Sequence, residues 1–211
     1  MMRLLYVVIF AFMALHADII IKPTTETKTQ IIYLHGLIEG DVEQALEQEA
    51  KTWQPLVDTY NFALVMPVGT KGAFPDQPEA YAWGTSDISR VRALAQNSDY
   101  AQSILFGYSN GAFLVGQILQ QTCDTPFSGY WLQGGGNAQE ILPCVPHKPV
   151  VLQIGVQDTH HLQPMQWLKS ALIKHGWQEN KTLLYQEMPG CHAFTLDHFD
   201  EAYRFITGGS R

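Results

Sequence analysis

The feature that most constrains this chain is a five-residue turn, Gly107-Tyr108-Ser109-Asn110-Gly111. It lies between an apolar strand-like run, Ser103–Gly107, and an apolar helix-like run, Asn110–Gln121. A chain that leaves a strand and enters a helix in so few residues bends sharply enough to strain its central residue. The neighbours two before and two after then pass too close to other backbone to carry side chains. Glycine, which has no Cβ, stands at both places. Such a turn presents the Ser109 hydroxyl above the end of the strand, at the positive end of the following helix.

Segments of the same two kinds alternate along the rest of the chain. Short apolar runs occur at Gln30–Leu34, Phe62–Val68, Phe127–Gln133, Pro149–Gly155 and Thr182–Met188. Apolar residues recur at helical spacing over Val42–Tyr60, Ser86–Gln96, Leu162–His175 and Ala193–Ile206, with Ser86 as an expected N-cap and Gly176 closing the third of these helices. Strands alternating with helices predict βαβ units and a mostly parallel sheet. The strand runs are apolar throughout, which predicts helices on both sheet faces. Ligands of such sheets sit beyond the carboxyl ends of the strands, so the chemistry is expected in the residues just after each strand.

In that setting the G-x-S-x-G turn resembles the nucleophile turn of the α/β-hydrolase superfamily. The resemblance implies a three-layer α/β fold, in a minimal version without a cap domain. It also implies the order nucleophile, acid, histidine. Asp158 follows the strand VVLQIG and matches the acid position; His192, in Gly190-Cys191-His192-Ala193-Phe194, matches the histidine position. By resemblance, His192 takes the proton of Ser109, and Asp158 holds His192 in the useful tautomer. His35-Gly36 after the first core strand resembles the oxyanion loop, which assigns the two oxyanion donors to the backbone amides of Leu37 and Asn110. Five further histidines, His147, His160, His161, His175 and His198, read as surface or capping residues. The spacing of Asp158 with His160-His161 matches no recurrent zinc pattern, so neither a metal nor any other cofactor is expected.

The stretch FGYSNGAFLV resembles secreted esterases related to polyhydroxybutyrate depolymerases and feruloyl esterases. The segments LHGL, GVQD and GCHAF are similar to the phospholipase/carboxylesterase group. Little sequence precedes Gln30, leaving little room for the first two strands of the full fold.

An apolar run from Leu4 to Leu15 follows Arg3 and precedes His16-Ala17, the pattern of a signal peptide cut after Ala17. The run is shorter than the about 20 residues of a membrane-spanning helix. The expected organisation is a leader over residues 1–17 and one domain over 18–211, in a secreted or periplasmic protein that does not span the membrane. Disulfides form in such compartments. Cys123 ends the helix after the nucleophile and Cys144 precedes the strand leading to Asp158, both near the amino ends of neighbouring strands, so a Cys123–Cys144 bridge is expected. Cys191 then packs in its loop or stays unpaired. Hydrophobic residues make up 46% of the chain, which is compatible with a buried core and excludes disorder as the main state. A net charge of −7 argues against nucleic acid as a partner.

The connection Gly69–Thr85 is long and leaves the active end of the sheet. Phe74, Tyr81 and Trp83 within it are candidates to line a substrate pocket, or else pack onto the body. Trp131 with Gly134-Gly135-Gly136 is a candidate for another wall, although those glycines also suit a flexible connection. Together these features predict a serine esterase acting on a small-molecule or polymeric ester through an acyl-enzyme. The alternatives are a small peptidase or amidase on the same fold and a non-catalytic binding protein that kept it.

Overall fold

The computed structural model describes residues 18–209, so the expected leader lies outside the described residues. The strands are β1 (Ile19–Ile21), β2 (Thr29–Leu34), β3 (Ala63–Met66), β4 (Thr70–Lys71), β5 (Tyr81–Ala82), β6 (Gln102–Tyr108), β7 (Gly129–Gln133), β8 (Val150–Gly155) and β9 (Leu183–Met188). The helices are α1 (Val42–Tyr60), α2 (Ile88–Gln96), α3 (Asn110–Gln121), α4 (Leu162–His175) and α5 (Phe199–Thr207). Seven strands form the main sheet in the order β1-β3-β2-β6-β7-β8-β9, while β4 and β5 make a separate small hairpin. Every pair in the main sheet is parallel except β1 with β3. The short segment before Gln30 thus supplies one three-residue antiparallel edge strand.

Two apolar layers flank the sheet. On one face, Ile32, Leu105, Leu132 and Leu152 pack against α2, α3 and α4 through residues such as Val91, Val115 and Leu168. On the other, Tyr33, Phe106, Trp131 and Val151 meet α1 and α5 through Trp53, Val57, Phe199 and Ile206. β2 and β8 are buried along their whole length, because alternate side chains enter opposite layers and neither faces water. Among the described residues no helix is long and apolar enough to cross a membrane.

Two expected helix starts differ. The helix expected from Ala193 begins at Phe199, because the preceding residues serve the loop that carries His192. Phe194 packs against the α1/α5 layer, and the Thr195 backbone exchanges hydrogen bonds with the Gln133 side chain at 2.7 and 3.0 Å. The N-cap of α2 is Asp87 rather than Ser86, and a 3-10 turn over Thr85–Asp87 precedes it. The buried Asp87 carboxylate accepts from the Gly84 amide at 2.9 Å, the Thr70 hydroxyl at 2.7 Å and Arg90 at 3.0 Å, tying the β4–β5 hairpin to the start of α2.

Cys123, just beyond α3, is bonded to Cys144, in the connection from β7 to β8, as expected; their Cα atoms are 5.0 Å apart. A loop of 21 residues closed in this way stabilises the fold by about 3 kcal/mol if the bond acts by constraining the unfolded chain. Cys191 is free and exposed.

Candidate active site

Ser109 sits between β6 and α3 at φ 51° and ψ −115°, a conformation that side-chain-bearing residues rarely adopt. The turn is enforced by close approach. A Cβ on Gly107 would collide with the backbone of Gly111, and a Cβ on Gly111 would collide with the Leu34 carbonyl. The Ser109 amide donates to the Gln133 carbonyl at 2.9 Å, which joins the turn to the end of β7. The glycine run after β7 completes the fit. A Cβ on Gly134 would stand 3.2 Å from the Tyr108 ring and 3.3 Å from the His192 ring, while one on Gly135 would collide with the Ser109 carbonyl. These glycines therefore allow β7's exit to pass directly under the turn.

The loops after β8 and β9 bring the other two residues to Ser109. His192 Nε2 is 2.8 Å from Ser109 Oγ, and His192 Nδ1 is 2.7 Å from Asp158 Oδ2. Tyr108 lies along the His192 ring with centroids 5.3 Å apart, and Phe194 meets Tyr108 edge-on at 5.5 Å. Asp158 is 3% exposed. Burial pushes its carboxyl pKa upward, but hydrogen bonds from His192 and His161 outweigh that effect and hold it below its ordinary value. The carboxylate is thus retained beside the imidazole.

His161 holds a place that its sequence context did not suggest. It occupies the N-cap position of α4, yet its ring turns back to Asp158, with Nδ1 at 2.9 Å from Oδ1 and 3.2 Å from Oδ2. Its ring centroid is 4.5 Å from that of His192, and it lines the cavity beside Ser109. The one available signal is the three-residue spacing Asp158-x-x-His161, which also reads as an ordinary helix start. Asp158, His161 and His192 each offer a metal-ligand atom, all within 4.8 Å of one another, whereas the exposed His160 stands outside this group.

The loop after β2 faces the turn from the other side. His35 is fully buried; its Nε2 accepts from the Gly69 amide at 2.9 Å, which leaves Nδ1–H to donate to the Gly36 carbonyl at 2.5 Å. Burial drives its pKa down to about 4 against the weaker upward pull of the Gly36 carbonyl, so the ring is neutral at pH 7. Trp83 Nε1 donates to the His35 carbonyl at 3.0 Å, and Ile38 pairs with Tyr81 through backbone bonds of 3.0 and 2.8 Å. The Asn110 side chain accepts from the Trp83 amide at 2.6 Å and donates to the Trp83 carbonyl at 3.3 Å. The hairpin thus clamps the Leu37 loop to the start of α3.

A cavity of about 660 Å³ opens beside Ser109. Phe74 and Trp83, two of the candidate wall residues, line it together with Leu37, Asn110, Phe113 and Gln117. Two expected wall residues are elsewhere. Tyr81 is 9% exposed and turns into the α1/α5 layer, since its backbone is occupied in holding Ile38. Trp131 is fully buried in the same layer, stacked on Phe106 at 4.5 Å, with Nε1 donating to Gln153 at 2.7 Å. It lies on β7 among side chains that face α5, away from the cavity.

No protein-family model matches the sequence, and no curated protein matches it. Solved structures do. The acyl-protein thioesterase 2 of Zea mays superposes with a TM-score of 0.64 at 16% identity, covering 91% of this chain and 98% of that one. A Bacillus cereus carboxylesterase gives a TM-score of 0.66 at 15% identity, covering 92% of this chain and 95% of that one. The esterase PE8 gives 0.64 at 16% identity, with coverages of 91% and 98%. Likeness over nearly the whole of both chains, together with the parallel sheet between two helical layers, shows that the chain has the α/β-hydrolase fold.

Proposed function

We propose that the chain is an exported serine hydrolase of carboxylic esters. The observation that carries this reading is the unbroken hydrogen-bonded series from Ser109 through His192 to Asp158, with links of 2.8 and 2.7 Å. Ser109 Oγ attacks the ester carbonyl as His192 Nε2 takes its proton, and Asp158 steadies the imidazolium that forms. The amides of Leu37 and Asn110 stabilise the tetrahedral oxyanion, each donor worth on the order of 3 kcal/mol. His192 then gives its proton to the leaving alcohol. Water, activated by the same imidazole, releases the acid from the acyl-enzyme. No Asp, Glu, Lys or Arg side chain lines the cavity, which suits an uncharged ester. The likeness to a carboxylesterase and an acyl-protein thioesterase supports ester or thioester hydrolysis on this scaffold. Export is supported by the residue 1–17 pattern and by the Cys123–Cys144 bond.

The test is hydrolysis of p-nitrophenyl acetate and butyrate by the wild type and Ser109→Ala. The expected loss in kcat is on the order of 10⁵–10⁶, with unchanged thermal unfolding. Equal rates would refute the proposal.

A further inference from the structure

Asp158 carries one histidine more than a proton relay needs. Its buried carboxylate meets His192 Nδ1 at 2.7 Å and His161 Nδ1 at 2.9 Å, on different oxygens. The two imidazoles lie 4.5 Å apart at an interplanar angle of 30°. The three side chains bring their ligand atoms within 4.8 Å of one another. The carboxylate is 2% exposed, while the His161 and His192 side chains are 26% and 33% exposed. The outer edge of the group is therefore open to an ion in solution.

We infer that Asp158, His161 and His192 form a site for a divalent transition-metal ion of the zinc type, and that filling it switches hydrolysis off. The inhibitory half rests on the role proposed for His192; the binding half does not. Two imidazole nitrogens and one carboxylate oxygen suit zinc, nickel or copper, and do not suit magnesium or calcium, which require oxygen ligands. Tetrahedral zinc, with bonds of about 2.0–2.1 Å, holds its donors roughly 3.3 Å apart. The carboxylate–imidazole pairs already stand at 2.7 and 2.9 Å, and the two imidazole ligand atoms within 4.8 Å, so small shifts of the carboxylate and rotation of the rings toward each other convert a proton-bridged group into a metal-bridged one. Both rings can turn, since His161 is at a helix start and His192 is in a loop, and a water fills the fourth position.

The consequence for His192 follows from its two nitrogens. A metal at Nδ1 takes the lone pair there, and the ring's single proton moves to Nε2. Nε2–H can then donate to Ser109 but cannot accept its proton. No proton is gained or lost overall, and the enzyme simply has no base.

The experiment uses the folded protein with Zn²⁺ followed by calorimetry, Co²⁺ followed by visible absorption, and Mg²⁺ as the oxygen-seeking control. The variants are His161→Asn, which keeps an N–H for Asp158, and His160→Asn next to the group. The expected result is one Zn²⁺ per chain and a tetrahedral Co²⁺ spectrum, weakened by more than about tenfold in His161→Asn and unchanged in His160→Asn. Ester hydrolysis falls on adding Zn²⁺ and returns with a chelator. No Zn²⁺ binding, or binding equally strong in His161→Asn, overturns the site. Binding with the expected variants but no hydrolysis under any condition leaves the site standing and refutes the esterase. Hydrolysis indifferent to bound Zn²⁺ overturns the inhibitory half.

Discussion

The Ser109 side of the candidate site and the His192 side are held by different means. Ser109 is fixed by backbone against backbone: the turn fits under Leu34 and over Gly135 with no space for a Cβ. His192 is fixed by side chains. Phe194 reaches into an aromatic group with Tyr33, Trp53 and Phe106, at centroid distances of 5.5, 6.0 and 6.2 Å. Gln133 clamps Thr195, and Tyr108 and His161 flank the ring. Backbone close approach has no softer alternative conformation, whereas a side-chain clamp can repack. Under the proposed mechanism the attacking atom sits on the rigid part and the proton carrier on the adaptable part, as would suit a base that faces first the nucleophile and then water.

The sharpest way to break this contrast is to add one methyl group on each side. In Gly111→Ala the new Cβ would collide with the Leu34 carbonyl and lie 2.7 Å from the His35 carbonyl, so α3 must lift from the sheet. The expected cost is about 4 kcal/mol or more, with little folded protein recovered. Gly190→Ala, in the loop before His192, meets nothing within 4 Å and suffers only the cost of its φ of +110°, about 1–2 kcal/mol. Chemical denaturation of both variants measures the difference. Equal destabilisation would remove the distinction between the two sides.

The same contrast explains what could be read from the sequence. The Ser109 turn was legible because its close contacts demand glycine at fixed spacing, and the disulfide because its two cysteines flank one strand. Asp158 and His192 were singled out by their order after strands and by resemblance, and the structure brings both to Ser109. Side-chain support was harder to see. Both faces of β7 are buried, so its apolar pattern carries no sign of which face Trp131 occupies. Phe194 and Leu196 continue the apolar spacing of α5, which hid a loop whose apolar side chains pack, partly buried, against the α1/α5 layer. His161 was hidden because a bond from an i+3 histidine looks, in sequence, like a helix cap.

A second prediction concerns acid, and it falls on the Ser109 side. His35 has its pKa held at about 4 by burial, against about 6.5 in the unfolded chain. Between these values the unfolded state binds the extra proton, so stability rises with pH there and is lost as pH falls from 6.5 towards 4. The full difference is about 3 kcal/mol. Asp158, held below its ordinary range, loses its contribution only at lower pH. Urea unfolding at pH 7 and pH 4.5 should show a drop in the wild type that is markedly smaller in His35→Gln. An equal drop in both would mean that the Leu37 loop is not the acid-sensitive lock.

The smallest expected stability change is on the histidine side, in Phe194→Ala. Phe194 is only half-buried, so its loss should cost about 1–2 kcal/mol, well under the 3–5 of a fully buried phenylalanine. Its effect on hydrolysis should be disproportionate. The ring fixes the loop two residues after His192, and a displacement of about 1 Å in a catalytic group can cost on the order of 10² in rate. If side chains hold the proposed base, kcat falls while KM changes little, because the Ser109 turn and the cavity beside it are untouched. Phe194→Leu, which refills much of the volume, should recover most of the rate. A variant that loses stability and activity in proportion, with no recovery by leucine, would show that the two sides share one support and that His192 has no separate clamp.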